Sequence, residues 1–245
     1  MARPLRIELA GAVYHVMSRG NARQDIVLDD ADREKRRDWL RRTVEVYGWP
    51  MHALVLMRNH DHLFMETPEP NLSARMQSLN GSYTSYFDRR HRRCGHLFPG
   101  RCQGHLIQQR SYFLEVSRSI HLNPVRAKVV ARPEPYPWSS DGGYQRANRT
   151  VAWVTYDQVL GEFSVFLGLG FGQDTTRWSP GRRSDDASRA VAAYLARRRF
   201  GYAAGTVAAA LGYRSASSIP RAVARVESGN QRLQRTVAKL ERSLR

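Results

Sequence analysis

The sequence predicts an α+β protein: a ferredoxin-like antiparallel sheet with helices on one face, followed by a small all-α, helix-turn-helix-like C-terminal domain. Three observations carry this expectation. Strand-like and helix-like segments follow one another as β-α-β-β-α-β-α up to Pro124, the order of a split β-α-β unit. The pattern then dissolves into turn residues around Pro133-Glu-Pro-Tyr-Pro-Trp138. From Asp185 onward only helical periodicity remains. The expected organisation is a first domain over residues 1–145, a connector over 146–180 and a basic helical domain over 181–245.

The elements follow in order. Gly11 to Ser18 mixes β-branched, aromatic and apolar residues and stops at the turn signal Arg19-Gly20-Asn21, so it reads as a strand. Asp29 and Asp30 open a helix whose apolar positions Trp39, Leu40, Val44 and Tyr47 recur at helical spacing until Gly48. Pro50–Met57 and His60–Thr67 are two strands around Arg58-Asn59. Asn71 or Ser73 caps a helix from about Ala74 to Arg90, with Met76, Leu79, Tyr83 and Phe87 facing inward. His96–Gln108 reads as a strand, or two short ones interrupted at Pro99-Gly100. Ser111 caps a helix that ends near Pro124. In the last quarter, Thr206–Leu211, the glycine turn at Gly212 and a Ser-capped helix from about Ser218 to Val226 have helix-turn-helix spacing, with a plain helical bundle as the alternative.

Charge bounds the function. The 245 residues carry 39 Lys and Arg, mostly Arg, against 22 Asp and Glu, a net +17 and a pI near 10.8. Residues 181–245 hold 14 basic and four acidic side chains, a concentrated footprint for a polyanion. Arg in particular forks onto phosphate oxygens. At 42% hydrophobic and 25% charged residues, neither a disordered nor a fibrous chain is expected. No run of 18 uncharged apolar residues is present, so no membrane span is expected. The charged N-terminus lacks a signal-peptide core, and Cys94 and Cys102 are too few for a disulfide framework, so the cytoplasm is the expected compartment.

One motif carries chemistry. In His60-Asp61-His62, strand alternation puts both imidazoles on one face, where they can grip a metal. The Ser111 helix presents Tyr112, Glu115, Ser119 and Asn123 along a polar face. Asn123 either ends that helix before Pro124 or completes a site with the two histidines, leaving positions for water and a phosphate oxygen.

Gly11-Ala-Val-Tyr-His-Val-Met-Ser-Arg-Gly-Asn21, Asn59-His-Asp-His-Leu63, Gly95-His-Leu-Phe98 with Gly100-Arg101, Ile120-His-Leu-Asn-Pro-Val-Arg126-Ala and Tyr136-Pro-Trp-Ser-Ser140 span most of residues 1–140. Through them the sequence resembles the REP-associated tyrosine transposases, relatives of single-tyrosine insertion-sequence transposases in the HUH endonuclease superfamily. The resemblance implies a catalytic domain that recognises hairpin-forming, REP-like single-stranded DNA and cuts beside the hairpin. It further implies Mg²⁺ or Mn²⁺ on His60, His62 and Asn123, attack by a helix tyrosine, a 5′-phosphotyrosine link and a free 3′-OH. The expected DNA contacts are Arg19, Arg89, Arg90, Arg92, Arg93, Arg101, Arg118 and Arg126, with Arg214, Arg221 and Arg225 of the C-terminal helices reaching a duplex stem. Tyr83, Tyr86 and Phe98 are either base-stacking or core residues. A monomer bound to DNA in the nucleoid is expected, with a dimer as the alternative.

The chain departs from the family at two positions. Ser119 stands where the nucleophilic tyrosine is expected, and a serine lacks the phenol pKa of about 10 that makes tyrosine a workable nucleophile and leaving group. The explanations are a substitution made to trap the enzyme, a natural loss of cleavage with binding retained, or relocation to Tyr112, about 10 Å away along the helix. Asp61 stands where a bulky apolar residue is expected, and an acid facing the other side of the sheet needs a partner, solvent or a ligand to orient. The readings are therefore a metal-dependent site-specific endonuclease and transposase or a cleavage-deficient DNA-binding protein. An RNA-binding module is a weaker third, since RNA stacking does not require His-x-His.

Overall fold

The computed structural model describes residues 7–108, 112–145, 149–162, 187–198, 202, 204–229 and 231–243. The chain divides into two compact units, one comprising residues 1–110, 119–141 and 151–155, the other 111–118, 142–150 and 156–245. The first unit is a four-stranded antiparallel sheet of β1 (Ala12–Arg19), β2 (Met51–Leu56), β3 (His60–Thr67) and β4 (Gln103–Leu106) in the order β2-β3-β1-β4. With α1 (Asp30–Tyr47) after β1 and α2 (Leu72–His91) after β3, this is the ferredoxin-like α+β arrangement the sequence predicts.

Alternation sorts the two central strands. Tyr14, Val16 and Ser18 of β1 and Asp61, Leu63 and Met65 of β3 are buried on the face that receives α1 and α2. His15, Met17 and Arg19, with His60, His62 and Glu66, lie half-buried on the other.

At the centre of the helix-covered face is a charged pair. Asp61 and Arg36 are both fully buried. Arg36 donates from Nε and Nη2 to Asp61 Oδ2 at 2.9 and 2.7 Å, and from Nη2 to Asn80 Oδ1 of α2 at 2.8 Å. The Ser18 amide donates to Asp61 Oδ1 at 3.2 Å, and the guanidinium lies 5.1 Å from the Tyr83 ring and 5.3 Å from that of Phe98. One salt bridge thus joins β1, β3, α1, α2 and the loop before β4. Asp61 has the partner it requires, and it faces away from the histidines that flank it.

The helix ends show which local signals operate. Asp29 caps α1 by accepting from the Asp32 amide at 3.0 Å, and Gly48 closes it in the left-handed conformation (φ 60°). Helix α2 starts at Leu72, and Asn71 makes no capping bond. Its Oδ1 instead accepts from Trp49 Nε1 at 3.2 Å, while the Ser73 amide donates to Glu8 Oε1 at 2.8 Å. The sequence expectation of a strand over 96–108 shrinks to the four residues of β4, because Gly95 (φ 109°) and Gly100 (φ 131°) hold the chain in conformations that no ladder accommodates. Ser111, the expected cap of the next helix, lies outside the described residues.

Helix α3 (Phe113–His121) gives way at Leu122 to a single turn, α4 (Asn123–Arg126), with Pro124 at its start, where a missing amide proton costs nothing. His121 is buried and its Nε2 lies 2.9 Å from Ser140 Oγ, which accepts from the Leu54 amide of β2 at 2.9 Å. With Asp141 Oδ1 3.7 Å from His121 Nδ1, the three look like a hydrolase triad, but the serine is fully buried and its oxygen is occupied by the β2 backbone. They clamp the end of α3 to the sheet edge, next to Asn123.

In the second unit the helices Ala187–Arg198, Ala204–Ala210, Ser218–Glu227 and Gln231–Ser243 bury a small apolar core that includes Val191, Leu195, Val207, Leu211, Ile219 and Val226. The second of them ends at Gly212 (φ 66°) with the Tyr213 amide donating to Ala208 O, a Schellman closure. Buried Arg189 donates to Leu211 O at 2.7 Å and lies 4.3 Å from the Tyr213 ring. Ser217 makes no capping bond, and its hydroxyl lies 2.7 Å from that of Ser215.

Removing one partner of the buried pair strands a charge. Arg36→Met or Asp61→Leu alone should each cost about 3–5 kcal/mol of unfolding free energy, while the double replacement by apolar residues recovers most of that loss. Urea unfolding of the two single variants and the double one measures this, and additive losses would show that the pair is not coupled.

Candidate active site on the sheet face opposite the helices

Register builds the site. Arg19 of β1 lies directly across from His60 of β3, Met17 across from His62, and His15 across from His105 of β4. The result is a row of imidazoles: His60 and His62 with ring centres 5.0 Å apart, His62 and His15 5.0 Å, and His15 and His105 6.3 Å. Asn123 is within hydrogen-bonding reach of the His60 ring. Its Nδ2 donates to Ser119 O at 2.9 Å and Ile120 O at 3.3 Å, which turns the amide oxygen away from the helix backbone. Asn123 thus lies beside His60, whose ring neighbours that of His62.

Each of the two histidines has a partner on Nδ1. His60 Nδ1 lies 2.6 Å from Asn59 Oδ1, an acceptor only, so this nitrogen carries the proton and Nε2 keeps its lone pair. His62 Nδ1 lies 2.9 Å from His15 Nε2. A proton on His62 Nδ1, donated to His15, frees His62 Nε2 in the same way. Burial pushes His62 down to about 3, helped by His15, His60 and Arg19, and burial followed by Arg19 lowers His60. His15 is lowered by burial and by His105. Neutral imidazoles are the ligand form.

This donor set fits a divalent ion. Two neutral imidazoles and an amide oxygen supply three ligands, and the Nε of Arg19 is buried with no hydrogen-bond partner, facing the same neighbourhood. Among the described residues no three His, Cys, Asp or Glu side chains converge on one metal position.

Ser119 sits one turn before Asn123, and its hydroxyl accepts from Arg126 Nη1 at 2.9 Å. The other expected DNA contacts are scattered. Arg101 is exposed in the loop before β4, and Arg89 and Arg92 are exposed at the end of α2. Arg93 donates to Gln24 Oε1 at 2.6 Å. Arg90 is bound to both Asp29 and Asp32, and these hydrogen bonds raise its pKa, so its charge is already neutralised within the fold. Arg118 pairs with Glu115 at 3.7 Å within α3. Arg214, Arg221 and Arg225 are exposed in the second unit. Tyr83 and Phe98 are core residues, whereas Tyr86 is half-buried.

A family model described as "Transposase IS200 like" matches residues 9–127, which hold the whole sheet, the histidine row, Ser119 and Asn123. Residues 9–127 are in this respect similar to IS200-like transposases. A solved structure, a REP-associated tyrosine transposase bound to a REP hairpin, shares this fold with a TM-score of 0.50 and 16% identity, over 59% of this chain and 85% of that one. No curated protein matches the chain. No described helix is long and apolar enough to cross a membrane.

Sequence reasoning missed two parts of this unit. His15 was legible in principle, since β1 alternation places it on the face of Met17 and Arg19. Arg36 was legible as a charge on the buried i, i+4 stripe of Asp32, Leu40 and Val44.

Burial also sets a pH response. His52, His62 and His121 are held down at about 4, 3 and 3 from an ordinary 6.5, each first by desolvation. Below pH 6.5 the unfolded chain takes up protons that the folded one refuses, so stability falls with falling pH, by up to about 1.4 kcal/mol per pH unit for each histidine. NMR titration of the imidazole protons should find all three neutral at pH 5, and a midpoint near 6.5 for any of them would contradict its buried environment.

Proposed function

We propose that this protein is a metal-dependent, site-specific endonuclease and transposase of single-stranded, hairpin-forming DNA, with residue 119 at the nucleophile position. The observation that supports it best is the meeting of His60, His62 and Asn123 beside Arg19 in an IS200-like transposase domain. A bound divalent ion would neutralise the charge that develops on the scissile phosphate. His60 Nε2, His62 Nε2 and the Asn123 oxygen would hold it. Asn59 and His15 would keep the two imidazoles in the ligating tautomer, and Arg19 would hold a phosphate oxygen. Two imidazoles and no carboxylate favour Mn²⁺ over Mg²⁺. The exposed arginines Arg89, Arg92 and Arg101 would grip the strand, and Arg214, Arg221 and Arg225, on a helix-turn-helix-like pair, would grip the duplex stem. The hairpin-bound relative supports a hairpin substrate.

A second reading rests on Ser119. Its oxygen is attached directly to Cβ and is engaged by Arg126. A protein that keeps the hairpin-binding surface and no longer cuts accounts for this bond.

The decisive experiment is a denaturing-gel assay with Mn²⁺ and hairpin oligonucleotides from the DNA flanking the gene, comparing the parent with Ser119→Tyr. A covalent DNA adduct with Ser119→Tyr alone establishes a competent metal site silenced by serine. An adduct with the parent places the nucleophile elsewhere, and none with either variant on a bound hairpin supports the non-cutting reading.

His15 is a positioning residue in this scheme. Its replacement by Ala should weaken Mn²⁺ binding about 10- to 100-fold, read by the electron paramagnetic resonance signal of free Mn²⁺, with the fold intact by circular dichroism. Unchanged affinity would remove His15 from the site.

A further inference from the structure

The histidine row on the open sheet face is not one cage. Among the described residues no three His, Cys, Asp or Glu side chains meet at one point, so the four rings divide into pairs. His60 and His62 form one end. The next interval is taken by a hydrogen bond, with His62 Nδ1 and His15 Nε2 2.9 Å apart. The other end is His15 of β1 with His105 of β4, and His105 has no part in the chemistry proposed for the first end.

Sheet register makes this second pair. His15 and His105 are directly opposed in the β1–β4 ladder, so both side chains stand on the same face, with 6.3 Å between ring centres. Strand β4 is last in the order β2-β3-β1-β4, which sets the pair at an edge of the sheet. His105 is exposed, and among the described residues its side chain makes no hydrogen bond or ion pair. Two imidazoles on one zinc ion, with bonds of about 2.0–2.1 Å at a tetrahedral angle, bring their ligating nitrogens to about 3.3 Å. The exposed His105 ring has the rotational freedom to close to that spacing while both strands keep their places. His15 has a further mark of a ligand. A metal-bound histidine almost always gives its other ring N–H to an acceptor, and His15 Nε2 already lies against His62 Nδ1. Nδ1 of His15 is then the nitrogen left for an ion.

We propose that His15 and His105 form a second metal site, for a borderline transition ion of the Zn²⁺ class, with water in the remaining positions. Imidazoles without a carboxylate select such ions over Mg²⁺ and Ca²⁺, and Mn²⁺ stands at the weak end of the divalent series. Occupancy of this site antagonises the one at His60, His62 and Asn123, a consequence that rests on the function proposed above. With an ion on His15 Nδ1, the proton of His15 is on Nε2 and is donated to His62 Nδ1. A neutral His62 then carries its own proton on Nε2, the nitrogen that must be bare to hold the first ion. Through one hydrogen bond, an ion at the sheet edge removes a ligand from the sheet centre.

Zn²⁺ alone is the probe, read on the full chain by long-range proton–nitrogen spectra of the histidine rings at about pH 7.5, above the ordinary imidazole range. In His60→Ala, whose first site has lost a ligand, Zn²⁺ should shift the rings of His15 and His105 together. Adding His105→Ala, an exposed position, should weaken Zn²⁺ binding at least about tenfold with the circular dichroism unchanged. Zn²⁺ that moves only one of the two rings, or binds as tightly without His105, overturns the site. The parent answers the same question without any substitution, since an unmoved His105 ring in excess Zn²⁺ also overturns it. For the antagonism, Mn²⁺ release is followed by the electron paramagnetic resonance of the free ion. The parent should release Mn²⁺ at about tenfold less Zn²⁺ than His105→Ala, in which only direct competition remains. Equal Zn²⁺ requirements overturn the antagonism. If the parent binds no Mn²⁺, the metal reading of the first site fails, while the Zn²⁺ spectra of His60→Ala still decide the second.

Discussion

The Arg36–Asp61 pair is the contact through which the first unit is organised. Two charges removed from water are tolerable only when their hydrogen bonds are nearly complete, and here the partners come from β1, β3, α1 and α2. A shift of either helix by one turn, or of β3 by one residue, would separate guanidinium from carboxylate. The pair therefore works as a register lock. Because side chains alternate along a strand, the lock that turns Asp61 toward the helices turns His60 and His62 toward the opposite face. The unusual acid between the two histidines thus fixes the orientation of both.

On that opposite face the chemistry depends on which nitrogen carries a proton. Asn59 and His15 each engage an Nδ1, so His60 and His62 can both present Nε2 to the same region. Burial, with the neighbouring charges, lowers His15, His60 and His62. The clamp of His121 on Ser140 anchors the end of α3 to β2, and the turn that follows carries Asn123 to His60. The placement of His60, His62 and Asn123 follows from hydrogen bonds and packing around them.

The basic side chains divide by what the fold has already done with them. Arg36, Arg90 and Arg189 are consumed in internal contacts, so net charge overstates the charge available to DNA. Arg126 is engaged too, donating to the Ser119 hydroxyl.

The sequence by itself determined the element order, the topology class, the shared face of His60 and His62 and the polar face carrying Ser119 and Asn123. These depend on periodicity and turn chemistry, which are local. Asp29 and Gly48 bounded α1 as their residue types require, because a cap is complete within a few residues. Asn71 did not cap α2 and Ser217 did not cap its helix, because a more distant or competing partner took each side chain. Only the tertiary structure decided that Asp61 answers to Arg36, that His15 meets His62 through their ring nitrogens, and that α2 and the glycine loop enclose a cavity over Gly81. Each of these joins residues far apart in the chain through side-chain geometry, and no periodicity in one segment encodes the distance to another.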